Sequence, residues 1–467
     1  MVRKGAFFLS KRKTLMGGIQ RDVDMTQGSI TRHLILFALP LLAGNVFQQL
    51  YNTVDTWVVG NYVSNEAFSA VGSVGPAINM LIGILVGFAG GSSVVISQYY
   101  GAKQYDKVSI AVHTTMVMTL ILSLVFTFLG LGLIPIALKM MNTPAEVIPE
   151  STTYLRIFFS GLSAMALYNI GAGILRAVGD SQRPFYYLVI CAIINTVLDL
   201  VFVLVFDMGV AGVAWATVIA QMVSAILVLR ELFTTSNCVK LSLRSMKINI
   251  PMLGKIVKVG LPSALQMALT SFSNVFVQSY INAFGSDYMS GWTAFSKIDQ
   301  LVFLPMQSLA LASTTFVGQN LGINNVPRAK QGVKTALNMA FITTIVLGVP
   351  ITIFAPQLTA FFNSKPEVVA CGSLILRWAS PFYLVCCINQ IYSSSLRGAG
   401  NSRATMIIML STFVLFRQIY LYVMANFISN TFLPIAMSYP VGWALCSLIT
   451  AIYYHKTPLN KHRLVET

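Results

Sequence analysis

The sequence predicts an all-α polytopic membrane protein: twelve transmembrane helices in two pseudosymmetric six-helix lobes. Three observations predict it. Of 467 residues, 55% are hydrophobic and only 10% charged, with a mean hydropathy of +0.72. Apolar runs of about 20 residues, the length that crosses a bilayer, recur along the whole chain. Polar motifs of the first half also return in the second half at nearly constant spacing. A transmembrane β-barrel would show short segments alternating with period two; these runs are continuous, as helices with internally satisfied backbones require.

In chain order the runs read as spans 30–60, 67–98, 108–138, 151–176, 184–206, 209–230, 251–284, 288–319, 331–355, 367–396, 403–427 and 432–455. Several exceed the minimum length, as tilted helices do. The basic leader from Arg3 to Arg21 contains only the apolar stretch AFFL, too short for a signal-peptide core, so 1–29 reads as a cytoplasmic tail. An N-lobe follows over 30–230. The one long polar connection inside the chain, 231–250, reads as a cytoplasmic linker. The C-lobe covers 251–455, and 456–467 forms a second cytoplasmic tail.

A net charge of +16 would suit nucleic acid if it were gathered in one patch, but it is distributed by loop. Basic residues crowd the tails and every second loop, among them Lys103, Lys107, Arg183, Arg230, Lys240, Arg328, Lys330 and Arg403. The opposite loops hold only Lys139 and Lys365. This is the positive-inside pattern. It predicts a multi-pass protein of the cell membrane, with both termini cytoplasmic, the lipid bilayer as its surroundings and no nucleic-acid partner. The cysteines Cys191, Cys238, Cys371, Cys386, Cys387 and Cys446 show neither metal-ligand spacing nor a disulfide framework. The four histidines, His33, His113, His455 and His462, are scattered, which argues against the interfacial catalytic cluster of a membrane enzyme. No repeated filter motif suggests a channel.

The duplication is explicit. Leu155-Arg156 recurs as Leu376-Arg377, 221 residues on, and Leu175-Arg176, Gly179 and Ser181 recur as Leu396-Arg397, Gly400 and Ser402 at the same offset. Gln98 and Gly101 return as Gln319 and Gly322. With one residue of drift, Pro40 falls on Pro262 and Asn52 on Asn274. Six spans on each side of the linker give the two copies the same orientation. Such parallel repeats imply two lobes about an axis along the membrane normal, with a cleft between them, as in alternating-access transporters.

Chemistry is concentrated where the copies disagree. Asn195 and Asp199 lie four residues apart on the apolar fifth span, one turn apart on one face. A carboxylate at membrane depth costs roughly 2.5–3.5 kcal/mol on insertion scales and usually lines a cavity or an ion path. On the first span, Gln48, Asn52 and Asp55 share one face. In the second half, Asp55 falls at Val277 and Asp199 at Tyr420, so these deep acids belong to the first lobe alone. Two carboxylates in one low-dielectric pocket repel, and such a pair titrates as a unit. The same oxygens, with amides and hydroxyls, suit a small hard cation such as Na⁺. The sequence leaves H⁺ and Na⁺ equally open. Pro40, fifteen residues before Asp55, is either a mid-span kink that a nearby ion can bias or simply part of the span's start.

Over about Met25 to Lys456 the chain resembles the multidrug and toxic compound extrusion (MATE) transporters. The resemblance rests on LPLLAGNVFQQLYNTVDTWVVG, SQYYGAK, LRAVGDSQRP, NTVLD, WATVIAQ, GLPSALQ, VGQNLG and SLRGAGNS. It implies a V-shaped twelve-helix fold that exports cationic, amphipathic compounds in exchange for H⁺ or Na⁺. It also implies that Asp55 is the first-span acid, with Gln48 beside it and Pro40 at the bend, and that Asn195 and Asp199 are the fifth-span pair. Thr217 then completes an N-lobe cation site (for Na⁺: Asp55, Asn195, Asp199 and Thr217), and Asn169 is a further polar member. One branch of the family has acids on the seventh and tenth spans, where this chain reads Thr270 and Cys386, so coupling through the N-lobe is expected.

Arg156 and Arg377 sit near outer span ends and are expected to snorkel. Lys297 and Asp299 are two residues apart and so do not share a helical face; lining the C-lobe cavity and an interfacial position near the outer mouth are equally open. Arg417 lies inside an apolar span and needs a partner. The expected function is a secondary active multidrug exporter. It is expected to act as a monomer on small cationic drugs, with no cofactor beyond the coupling ion and no enzymatic activity. A lipid-linked oligosaccharide flippase is the alternative, for which a more cationic cleft is expected.

Overall fold

The computed structural model describes residues 23–63, 65–140 and 143–465; most of the basic leader falls outside them. Among the described residues there is no strand. The first half comprises α1 (Ile30–Tyr62), α2 (Asn65–Gly101), α3 (Tyr105–Met140), α4 (Ile148–Ser160), α5 (Leu162–Ala177), α6 (Gln182–Leu200) and α7 (Gly209–Thr234). The second comprises α8 (Ile250–Asn282), α9 (Ser286–Gly322), α10 (Val326–Ile353), α11 (Ala355–Phe362), α12 (Pro366–Gly398), α13 (Ser402–Leu410), α14 (Arg417–Val423), α15 (Phe432–Ala436) and α16 (Ser438–Lys456).

Among the described residues ten helical stretches are long and apolar enough to cross a membrane, α13 with α14 and α15 with α16 each making one, or eleven when α4 and α5 count as one bent span. Two expected spans therefore differ from their sequence reading. The fourth is not one rod: α4 and α5 meet at a 47° bend around Gly161. A Cβ there would strike the Val218 side chain on α7. The seventh, α8, is a continuous helix of 33 residues, but Lys255, Lys258 and its many Ser, Thr, Gln and Asn side chains leave it less apolar than the other spans. Lys255 in its first half donates to the Tyr99 hydroxyl at 2.9 Å, and in its second half Ser273 donates to the Phe413 carbonyl at 2.7 Å while Asn274 accepts from Arg417 at 2.9 Å.

The repeat governs local structure. Asp180 and Asn401, 221 residues apart, each cap the helix that follows. Asp180 accepts from the Gln182 and Arg183 amides at 3.0 and 3.1 Å, and Asn401 from the Ala404 amide at 3.3 Å. Each follows a glycine with positive φ, Gly179 at +92° and Gly400 at +90°, a conformation that glycine adopts at little cost. The fifth and eleventh spans both widen into π-turns, Val201–Val205 directly after α6 and Ser411–Phe416 directly before α14. Such turns concentrate at functional sites, and these two adjoin Asp199 and Arg417.

Two large cores result, and each takes in pieces of the other half. The core of the second half includes Leu34, Phe37, Ala38 and Leu41 from the start of α1. The core of the first half includes Met252, Ile256, Val259 and Ala264 from the start of α8. α2 and α8 cross at Gly87 and Gly91 against Gly260 and Ala264, so closely that a Cβ on Gly87 or Gly91 would overlap the facing backbone. Small residues spaced by four are what lets apolar helices approach in lipid.

Candidate functional site

Asp199 lies in the last turn of α6, with 0% of its surface exposed, and Asn195 lies one turn earlier with 1%. Asp55, on α1, brings its carboxyl against both the Asp199 carboxyl and the Asn195 amide. The Asn195 Nδ2 donates to Thr217 Oγ1 on α7 at 3.4 Å, and the Thr217 hydroxyl donates to the Val213 carbonyl at 3.1 Å. The carboxylates thus share a wall with an amide and a hydroxyl, over an apolar floor of Val58, Val59, Val203, Val210 and Val213.

Donors and acceptors do not balance there. Asp55 Oδ1, Asn195 Oδ1 and both oxygens of Asp199 are buried without a hydrogen-bond partner. All are acceptors, and three of the four belong to carboxyls that carry charge when ionised. Buried acceptors left unpaired are costly and a buried unpaired charge more so. Such a surplus of acceptors suits a positively charged partner, a shared proton or a small cation. Among the described residues no group of three His, Cys, Asp or Glu is gathered, so a cation here would depend on the two carboxylates with Asn195 and Thr217.

The other site candidates divide. Gln48 is exposed and meets the Tyr51 hydroxyl, not a carboxyl. Asn169, on α5, donates to its own helix at the Met165 carbonyl, 2.9 Å away. Pro40 lies inside α1, which runs on as one helix from Ile30 to Tyr62. Two tyrosines near the acids were not anticipated. Tyr51 precedes Asp55 by one turn and lies within its electrostatic reach, a placement the spacing already contained. Tyr154, on α4, lies close to both acids, and no sequence signal marks it.

In the second half, Asp299 on α9 faces the Tyr383 hydroxyl on α12, and Asp299 Oδ1 is a buried, unpartnered oxygen. Lys297 is exposed. Arg417 finds its partner in Asn274: Nη1 donates to Oδ1 at 2.9 Å, and the guanidinium lies 4.3 Å from the Tyr439 ring centre. Thr270 and Cys386 supply no carboxylate. Arg156 and Arg377 are exposed.

A protein-family model described as MatE matches residues 40–201 and again 262–423, one match per half. "Probable multidrug resistance protein YpnP" of Bacillus subtilis (strain 168) is 28% identical over 400 residues, covering 84% of this chain and 88% of that protein. "Probable multidrug resistance protein YoeA" of the same strain is 29% identical over 433 residues, covering 91% and 94%. The solved structure described as the outward-facing conformation of a multidrug resistance MATE family transporter of the MOP superfamily superposes with a TM-score of 0.88 at 23% identity. That match covers 94% of this chain and 98% of the other, and it establishes the V-shaped, two-lobed fold.

Proposed function

The chain belongs to the MatE family, and from that premise we propose that it is a secondary active exporter of cationic, amphipathic compounds, driven by inward movement of H⁺ or Na⁺ through Asp55 and Asp199. The observation that carries this reading is the facing pair of carboxyls with its surplus of buried acceptor oxygens. Asp55 and Asp199 come from different helices, so a shared ion pulls α1 and α6 together, and its departure leaves two carboxylates that repel. That difference couples ion occupancy to the shape of the first lobe. Asn195 orients the pair, Thr217 fixes Asn195, and Pro40 lets the start of α1 follow. Each conformational turn exposes the cleft to one side only, so cargo and ion exchange in alternation.

The same reading places the chain in the cell membrane as a monomer with both ends cytoplasmic. The halves 30–230 and 251–455 act as N-lobe and C-lobe, 231–250 as their linker, and 1–29 and 456–467 as tails. Lys and Arg favour the tails and the loops between α2 and α3, α5 and α6, and α7 and α8.

Efflux of a fluorescent organic cation from proteoliposomes, under separate H⁺ and Na⁺ gradients, tests the proposal. One of the two gradients is expected to drive efflux, and Asp199→Asn or Asp55→Asn to reduce it at least about tenfold while the protein stays folded. Undiminished ion-driven efflux in Asp199→Asn would show that the pair does not couple transport.

A further inference from the structure

The segments flanking the helical body are exchanged between the lobes. Met25, ahead of α1, is fully buried in the core of the second half, and Leu464 and Val465, beyond α16, are 6% and 4% exposed in the core of the first half. Both segments meet at the end of the molecule that carries the basic loops. There, a pair of repeat-related glutamines joins the lobes.

Gln98, at the end of α2, donates through Nε2 to the Gly398 carbonyl of the opposite lobe at 2.8 Å. Gln319, its equivalent on α9, donates to the Ala177 carbonyl at 3.0 Å. Gly398 and Ala177 are themselves repeat equivalents, so each half performs the same contact on the other. The remaining amide oxygen of each glutamine holds one flanking segment: Gln98 Oε1 accepts from the Leu464 amide at 2.8 Å, and Gln319 Oε1 from the Met25 amide at 2.9 Å.

The segments are tied from the other side as well. The Met25 carbonyl accepts from Asn320 Nδ2 at 3.3 Å and from Arg328 Nη2 at 3.2 Å. The Leu464 carbonyl accepts from Lys255 Nζ at 3.0 Å, and Arg463 donates to the Gly322 carbonyl at 2.8 Å. Val23 packs on Gly179 and His462 on Gly400, the paired positive-φ glycines, where any Cβ would collide with the segment's backbone. Each segment therefore touches both lobes.

We infer that Gln98 and Gln319, with the segments Val23–Gln27 and His462–Val465, form a pseudosymmetric latch that holds the cleft shut on the basic face. Lobes that separate on this side must break both glutamine contacts and lift both segments. Each glutamine spends its donor on the opposite lobe and its acceptor on a segment, so the four contacts are lost together. The latch sets the resting population of the two orientations. It involves none of the ion-binding residues and stands or falls separately from the coupling proposed above; it takes from that proposal only the assignment of the basic face to the cytoplasm.

Pulsed EPR distances on the full chain in lipid test it, in a background where the partly exposed Cys238 is Ser. One spin-label pair spans the basic face, Asp106→Cys with Lys330→Cys, and another spans the opposite face, Glu146→Cys with Glu367→Cys; all four positions are exposed. Without cargo, the parent is expected to be short across the basic face and long across the other. Gln98→Ala with Gln319→Ala is expected to raise the fraction of molecules with the reversed pattern about tenfold or more, and Lys255→Met to do so more weakly. A double variant that keeps the parent distances overturns the latch. So does one in which both distances broaden without exchanging, since that reports loosened structure and not a shifted gate. Quenching of the Asp106 and Lys330 labels by ascorbate added outside sealed right-side-out cells would show that the basic face is not cytoplasmic, and would leave the latch itself intact.

Discussion

Arg417 shows how a buried charge is accommodated at the scale of one residue. It is 2% exposed, hydrogen-bonded to Asn274, and stacked on Tyr439 with Phe413 5.1 Å away. Stacking on aromatic faces stabilises a guanidinium, but the hydrogen bond to Asn274 is the contact a single substitution can remove. Taking away one partner of a buried charged hydrogen bond costs about 1.5–3 kcal/mol. Removing the charge together with its need often costs less. Asn274→Ala is therefore expected to lower the thermal unfolding midpoint in detergent more than Arg417→Met does; the reverse order would mean that the aromatic stacking, and not the Asn274 hydrogen bond, is what holds the guanidinium. The sequence shows that Arg417 needs a partner but hides which one, because Asn274 lies 143 residues away. Asp55 and Asp199 were legible since each is a lone carboxylate in an apolar run. Tyr154 was not, because a tyrosine near a span end is ordinary in a membrane protein. Asp299 was masked by Lys297 two residues before it, which made the pair look interfacial.

The helix crossing of α2 and α8 makes the sharpest prediction at the scale of elements. Gly90 and Gly91 are adjacent, yet a Cβ on Gly90 meets nothing within 4 Å, whereas one on Gly91 overlaps the Gly260 backbone. Gly90→Ala is expected to transport normally, and to be slightly more stable because alanine favours helix. Gly91→Ala must separate two backbones that carry the contact between lobes, and is expected to lose most efflux activity. Parallel efflux and unfolding measurements on the two variants check this, and equal behaviour would mean that the close approach is not needed. Hydrophobic runs revealed nearly every helix, since crossing a bilayer imposes length and apolarity together. They failed where tertiary contacts replace lipid. α8 is polar because its polar side chains bond to protein, Lys255 to Tyr99 and Ser273 to the Phe413 carbonyl, and the fourth span bends around Gly161, where a Cβ would strike Val218 on α7.

The constant offset of 221 residues between motifs made the two-lobed architecture of the whole molecule legible. It could not show that the starts of α1 and α8 pack into the opposite cores, because a repeat records what the halves share and not where each half is inserted. Nor did it show what moves through the molecule in one cycle, but the geometry of the acids constrains that. Two carboxyls held side by side in an apolar wall repel when both are ionised, so the pair favours holding one shared cation. On the coupling proposed above, the pair alternates between holding one shared H⁺ or Na⁺ and releasing it. With either ion, that proposal has a single positive charge enter per cycle. Exchanged for a monovalent organic cation, it leaves no net charge crossing the membrane. A membrane potential acts at about 2.3 kcal/mol per charge per 100 mV, which is about fifty-fold in accumulation for one net charge. Clamping vesicles with potassium and valinomycin at potentials 100 mV apart, at a fixed ion gradient, is thus expected to leave the steady-state accumulation of a monovalent cation within about twofold. A shift near fifty-fold would mean that both carboxyls discharge in each turnover, and the shared-ion reading of Asp55 and Asp199 would have to give way to two independent sites.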